Sequence, residues 1–554
     1  ANGGCCRSTT TLIGASELAR VVVVTGMLGG KSLRVCVVAA VLLAASTLVW
    51  VSGSTVGAWS SDDSAVAVFG GTSDDESFSV AVDSSGNVYT TGYFKGTADF
   101  DPGAGTANLT SNTVVGDTDV FVSKLDSSGD LVWAKNFGGT SYDGGRGSSV
   151  AVDSSGNVYT AGRFYGTFDF DPGAGTTNLT ASSSNDVFVS KLDSSGDLVW
   201  AKSFGDYAND WANSVAVDSS GNVYTTGRFN HADVDFDPGA GTVNLPYSSN
   251  SDAFVSKLDS SGDYVWAKSF GGTSDDDGHS VAVDSSGNVY TAGSFNGTVD
   301  FDPGAGTTNL TAGVGADAYV VKLDSSGNYV WAKNFGSADA TAFAYSVAVD
   351  SSGNVYTTGR FGNTADFDPG AGTANLTSNG YADVFVSKLD SSGDYVWAKS
   401  FGSNLADGAS GVAVDSSGNV YATGYFNNSN PGRSVAVDFD PGAGTAYLTA
   451  TGGSDAYVVK LDSSGNYVWA KSLSGAGQGW GYSVAVDSSG NVYTTGRFYG
   501  TGDFDPGAGT AEFTSNGDKD VFVVKLDSSG NLATANPAGV SVSKATVSVS
   551  EAGP

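Results

Sequence analysis

The sequence predicts an all-β fold: a seven-bladed β-propeller with four antiparallel strands per blade, its ring closed by an N-terminal strand that completes the last blade. Three observations lead there. One unit recurs seven times along the 554 residues. Each unit divides into four short runs of β-favouring residues, separated by tight-turn signals and without helical periodicity. An orphan strand precedes the first unit, and the last unit lacks the ending that the others share.

The repeat is carried by three strings. Val-Asp-Ser-Ser-Gly-Asn-Val-Tyr recurs with its Asp at Asp83, Asp153, Asp218, Asp284, Asp350, Asp415 and Asp487. Lys-Leu-Asp-Ser-Ser-Gly recurs at Asp126, Asp193, Asp259, Asp324, Asp390, Asp462 and Asp527. Between them stands Asp-Phe-Asp-Pro-Gly-Ala-Gly-Thr, also in seven copies. In the first unit, strand a (Ser79–Val82) meets strand b (Asn87–Phe94) across Asp83-Ser-Ser-Gly86. Such a turn needs Gly where the backbone is left-handed and Asp where a carboxylate can accept from nearby N–H groups. Strand c (Asp119–Leu125) meets strand d (Leu131–Phe137) across a second Asp-Ser-Ser-Gly turn. Val, Tyr, Phe, Trp and Thr dominate these runs and suit a pleated surface.

A lone four-stranded unit leaves both faces wet, and radial stacking buries them. The chain ends favour a ring. Six units end in Val-Trp-Ala-Lys, with Trp133, Trp200, Trp266, Trp331, Trp397 and Trp469, whereas the seventh ends in the unrelated run from Asn531 to Ala535. The orphan strand Ala65–Gly71 carries Phe69-Gly70-Gly71, which aligns with Phe137-Gly138-Gly139 at the end of strand d. It is therefore expected to supply the missing fourth strand, giving a propeller over residues 64–535.

The repeated strings Val-Ala-Val-Asp-Ser-Ser-Gly-Asn-Val-Tyr-Thr-Thr-Gly and Phe-Val-Ser-Lys-Leu-Asp-Ser-Ser-Gly resemble the bacterial seven-bladed β-propeller repeats known as SBBP repeats. The resemblance implies a bacterial extracellular or surface protein, often multidomain. It supplies no catalytic residue.

Composition agrees. Gly is abundant at 78 residues, and 58 acidic residues face 26 basic ones for a net charge of −32. Only Glu17, Glu76, Glu512 and Glu551 are Glu; the rest of the acid is Asp, which favours turns. This charge excludes nucleic acid as a partner, because phosphates would be repelled. Upstream, Met27, Lys31 and Arg34 precede an apolar run from Val35 to Val51 and the small residues Ser52 to Ala58. That order is a signal peptide over residues 27–58, with Val56 and Ala58 flanking the cleavage geometry. Residues 1–26 are expected to be absent from the mature protein, and 59–63 form a linker. Cys5, Cys6 and Cys36 all lie upstream of the cleavage point, so no disulfide is expected in the mature chain. Residues 536–554 alternate as an edge strand does and read as a linker and the start of a truncated C-terminal β-sandwich-like module. The expected product is secreted or held at a cell surface, without a membrane span, as a monomeric propeller within a longer polypeptide.

Function is sought on one face. The a–b and c–d turns are near-identical, whereas the b–c and d–a loops vary, and loops on a rigid scaffold carry function. The residue two positions before the first valine of strand a differs in each blade: Phe78, Ser148, Asn213, His279, Tyr345, Ser410 and Tyr482. These seven are expected to ring the channel mouth as a ligand site. Trp211 and Trp480, outside the repeat template and read as d–a loop residues, are candidates for stacking on sugar rings. The Asp-Phe-Asp loops offer carboxylate pairs for Ca²⁺: Asp99 and Asp101, Asp169 and Asp171, Asp235 and Asp237, Asp300 and Asp302, Asp366 and Asp368, Asp438 and Asp440, Asp503 and Asp505. The competing reading is that each Asp caps its own Pro-Gly turn. Catalysis is not expected: His231 and His279 stand in different blades, and the Asp residues are copies in like environments, unlike the two dissimilar carboxylates of a glycosidase. The leading expectation is a non-enzymatic module binding a protein or glycan through the b–c and d–a face. The alternatives are a calcium-stiffened spacer of a large adhesin, and a polysaccharide hydrolase or lyase.

Overall fold

A computed structural model describes residues 65–533, apart from 112–117, 140–143, 338, 429–434, 451 and 474–476. The signal peptide, the 59–63 linker and the C-terminal module expected from the sequence lie outside the described residues.

Each unit folds as a four-stranded antiparallel sheet in the order a-b-c-d. In blade 1 the strands are Glu76–Val82, Val88–Phe94, Asp119–Leu125 and Leu131–Phe137. The innermost strands of the following blades are Gly144–Val152, Trp211–Val217, Asp277–Val283, Ala342–Val349, Gly408–Val414 and Gln478–Val486. Val66–Gly71 pairs antiparallel with Asp520–Leu526, Val66 opposite Val524 and Phe69 opposite Val521, so the N-terminal strand is the outermost strand of the seventh blade. The Phe69-Gly70-Gly71 alignment anticipated this pairing. Among the described residues no helix is long and apolar enough to cross a membrane.

The repeated residues account for the scaffold. In the first a–b turn Gly86 adopts φ 80°, and Asp83 Oδ1 accepts from the N–H groups of Ser85 and Asn87. Asp83 Oδ2 accepts from Asn87 Nδ2 and from the hydroxyl of Tyr89, a fully buried ring. Burial works against this charge, but these donors overcome it and hold the carboxyl below its ordinary range. Blades are stitched by Trp: Trp133 Nε1 donates to Ser194 O and Trp266 Nε1 to Ser325 O, each on the c–d turn of the next blade. On the inner strands, Val150 N donates to Ser79 Oγ and Val347 N to Ser280 Oγ, again across a blade boundary. The same bond links the last blade to the first, from Val80 N to Ser483 Oγ. The cores lie between blades: one joins Tyr290, Trp331 and Phe335 of blade 4 to Val355, Phe367 and Phe385 of blade 5.

Strand a begins three residues earlier than the sequence suggests, because a bulge interrupts its alternation. The register slips between Ser77 and Ser79, Gly147 and Ser149, Ala212 and Ser214, and at the matching step in the other four blades. Trp211 and Trp480 therefore belong to innermost strands, not to loops.

Candidate ligand site at the channel mouth

The bulged residues are Phe78, Ser148, Asn213, His279, Tyr345, Ser410 and Tyr482. A bulge leaves one residue out of the ladder and re-aims its side chain, and here all seven turn onto the axis. They line a narrow axial cavity of about 130 Å³ together with the inner-strand serines. Above it the same seven line a bowl of about 390 Å³ with Arg146, Arg360, Tyr425 and Trp480. The structure thus brings the predicted ring together at one site.

The bowl is built of half-buried aromatic rings on polar supports. Phe78 packs on Tyr482 with centroids 5.2 Å apart, and Tyr345 lies 5.3 Å from His279. Trp480 stacks on Tyr425 of the preceding blade at 4.5 Å and 15°. His279 is held neutral by burial, which pushes its affinity for a proton down. The other histidine, His231, stands apart from the ring, bonded to the Tyr207 hydroxyl and 3.1 Å from Asp206. Trp211 does not line the bowl. It sits between two guanidinium groups, Arg163 Cζ at 4.1 Å and Arg228 Cζ at 3.7 Å from its ring, and so joins blades 2 and 3.

Around the ring runs a second set of variable residues that the sequence reading did not single out. The residue two positions before each bulge stands opposite a strand-b residue: Glu76 with Tyr93, Arg146 with Arg163, Trp211 with Arg228, Asp277 with Ser294, Phe343 with Arg360, Gly408 with Tyr425, Trp480 with Arg497. The strand-b members follow an invariant Gly in Val-Tyr-Thr-Thr-Gly or its near copies. A position that varies inside a fixed string was the signal, visible on comparing the seven copies column by column. Glu76 is buried, but Arg497 and Lys519 overcome the burial and hold its carboxyl below the ordinary range. Arg228 pairs with Asp277 at 3.3 Å.

The Asp-Phe-Asp loops lie at the tip of a short b–c hairpin, such as Thr97–Asp99 with Asn108–Thr110. Asp99 Oδ1 accepts from the N–H groups of Asp101 and Ala107, Asp101 Oδ1 from that of Gly103, and Phe100 is buried. The other six loops repeat these bonds, from Asp169 and Asp171 to Asp503 and Asp505. Each carboxylate therefore caps its own turn. Among the described residues no group of three or more His, Cys, Asp or Glu side chains is placed to hold a metal ion.

Fold and site together define a β-propeller with a ligand-sized bowl at its channel mouth. The chain carries SBBP repeats: the family described as Beta-propeller repeat matches residues 69–96, 199–233, 265–299, 330–360 and 468–504. Among curated proteins, the regulatory protein FlaEY of Caulobacter vibrioides is 33% identical over 124 residues, 22% of this chain and 13% of FlaEY. A WD repeat-containing protein, L264, of Acanthamoeba polyphaga mimivirus is 24% identical over 470 residues, 72% of this chain and 34% of that protein. The chain thus spans only a minor part of the length of either relative. Among solved structures, Sqt1 from Chaetomium thermophilum is similar with a TM-score of 0.36 and 11% identity, covering 83% of this chain and 98% of Sqt1. The Neurospora crassa Pan2 WD40 domain scores 0.30 at 10% identity, covering 68% and 89%.

Proposed function

We propose that this chain is a non-enzymatic, extracellular binding module that presents the b–c and d–a face to a cell-surface partner and seats its ligand in the channel-mouth bowl. The observation that supports it is the convergence of the seven bulged, blade-specific residues on one cavity, against a background in which other positions are near-copies. Symmetry is kept where the scaffold needs it and broken where a ligand would touch. The cavity volume falls in the range of small-ligand sites, and its mixture of aromatic faces with Ser, Asn and His matches a sugar, which has an apolar face and a hydroxyl edge.

The test fills the bowl. Ser410→Trp places a bulky ring at the mouth without touching the interblade cores. Wild type is expected to bind a defined set of glycans or surface proteins on an array, and the filled variant to lose those signals while melting like wild type. Equal binding by both would overturn the site; hydrolysis or elimination of a bound polysaccharide by the wild type would favour the enzymatic alternative.

A further inference from the structure

The arginines of this acidic protein are not scattered. Beyond residue 58 the sequence holds six, and five of them, Arg146, Arg163, Arg228, Arg360 and Arg497, stand in the cross-strand positions around the channel mouth. Two have carboxylate partners, Arg228 and Arg497. Among the described residues Arg146, Arg163 and Arg360 pair with none.

Arg146 and Arg163 face each other directly across strands a and b of blade 2. Like charges in that position repel and destabilise a sheet, so the fold gains nothing from the pair. The Arg146 guanidinium lies flat on Phe78, its Cζ 3.5 Å from the ring centroid, and its buried Nε has no hydrogen-bond partner among the described residues. Burial and the neighbouring guanidiniums of Arg146 and Arg228 push Arg163 down to about 10. A flat guanidinium with unused donors, beside a second one, is the arrangement that forks a carboxylate.

The pair opens onto a second cavity of about 380 Å³ between blades 1 and 2, lined also by Tyr93, Lys95, Thr118 and Asn185. This cavity shares Phe78 and Arg146 with the bowl. The two form a path from the axis to the blade boundary, with the cationic pair at the junction. Neither cavity is lined by a Val, Leu, Ile or Met side chain. A peptide anchored by aliphatic side chains would find no pocket here, whereas pyranose rings would find Trp480, Tyr425 and Tyr482 to stack on.

Resting on the binding-module reading above, we propose that the site takes a carboxylate-bearing oligosaccharide, a uronate chain whose acid group lies on Arg146 and Arg163 while a neighbouring sugar stacks in the bowl. A net charge of −32 would repel such a chain everywhere else, so the arginines both attract it and fix its register.

The test is calorimetric titration of the whole chain with a defined 1,4-linked uronate tetramer, a neutral tetramer of the same linkage, and hexaglutamate as an acidic peptide. The uronate tetramer is expected to bind at least about tenfold more tightly than the neutral one, with affinity falling as salt rises, as charge-assisted forks require. Arg146→Gln is expected to weaken uronate binding at least about tenfold. Because Arg146 opposes Arg163, this variant should melt no lower than wild type, so lost binding reads as lost contact and not as unfolding. Equal affinity for neutral and uronate tetramers, both lost in Ser410→Trp, overturns the anionic assignment and leaves the binding module standing. Arg146-dependent binding of hexaglutamate without uronate binding overturns the glycan assignment. No uronate binding by the wild type overturns the inference, while the array experiment judges the module separately.

Discussion

Replacing Asp186 by Asn should stabilise the protein at pH 8 and do little at pH 4, the reverse of what losing a surface carboxylate does. Asp186 opens strand c of blade 2 and is buried. Its Oδ2 accepts from Ser182 N at 3.2 Å, but Oδ1 is buried without a hydrogen-bond partner among the described residues. The buried Asp210 of the adjoining d–a loop already accepts two N–H groups, from Asp206 and Asn230. Burial, then the nearby Asp210 and Asp206 carboxylates, push Asp186 from 3.8 up to about 7. Its folded-state affinity for a proton thus exceeds that of the unfolded chain. Stability from this group is full below the ordinary pH of a carboxyl and is lost as pH rises from about 4 through about 7. With each tenfold in proton affinity at ~1.4 kcal/mol, the charged form costs at most ~4 kcal/mol at pH 8. Leaving the new amide without a partner returns ~1–3 kcal/mol, so Asp186→Asn should gain about 2 kcal/mol there. Urea unfolding followed by tryptophan fluorescence at pH 4, 6 and 8 reads it directly: the variant's midpoint should be nearly flat with pH while that of wild type falls. A variant less stable than wild type by the same margin at pH 4 and pH 8 would refute the reasoning. A loss confined to pH 8 and copied by chelator would show a cation in place of the proton.

Three further outcomes are expected. Asp83→Asn should destabilise most at neutral pH, because Asp83 is held below its ordinary range; its contribution is present above about pH 4 and lost as pH falls, as paired pH 4 and pH 7 unfolding curves would show. Trp266→Phe removes the bond from Nε1 to Ser325 O and should cost about 1 kcal/mol, a lowered urea midpoint with the fold intact by circular dichroism. Chelation should leave the melting midpoint unchanged, since each Asp-Phe-Asp loop is closed by its own N–H groups; a drop of several degrees in EDTA, restored by Ca²⁺, would favour the calcium-stiffened spacer.

The scaffold was legible because it is repeated: Asp83, Gly86, Tyr89 and Trp133 recur with their partners, so one unit read correctly is seven. The ring from Phe78 to Tyr482 was legible as a set of exceptions in a known column. The bulge that aims it was not, since a slipped register breaks the alternation that marks a strand. Arg163 and its counterparts were missed because a single variable position inside a fixed string looks like drift until its cross-strand neighbour is known. The layer containing Asp186, Asp252, Asp383 and Asp520 was missed for another reason. Asp reads as solvated, yet here Gly205, Gly271, Gly402 and Gly70 after strand d leave the space in which those carboxylates are buried. The tryptophans divided: Trp480 reached the bowl, and Trp211 became an interblade wedge between two arginines.

The partnership of Val66–Gly71 with Asp520–Leu526 sets a clock on folding. Six blades draw all four strands from one contiguous stretch and can zip as soon as that stretch is available. The seventh needs two segments from opposite ends of the repeat array, and loop-closure entropy makes that contact the slowest to form. Until then Ala67, Phe69 and Val521 to Val524 remain exposed. The strand that joins the ends of the array is therefore also its most aggregation-prone segment during folding. Refolding with a synthetic Val66–Gly71 peptide in excess should trap the last blade by strand exchange.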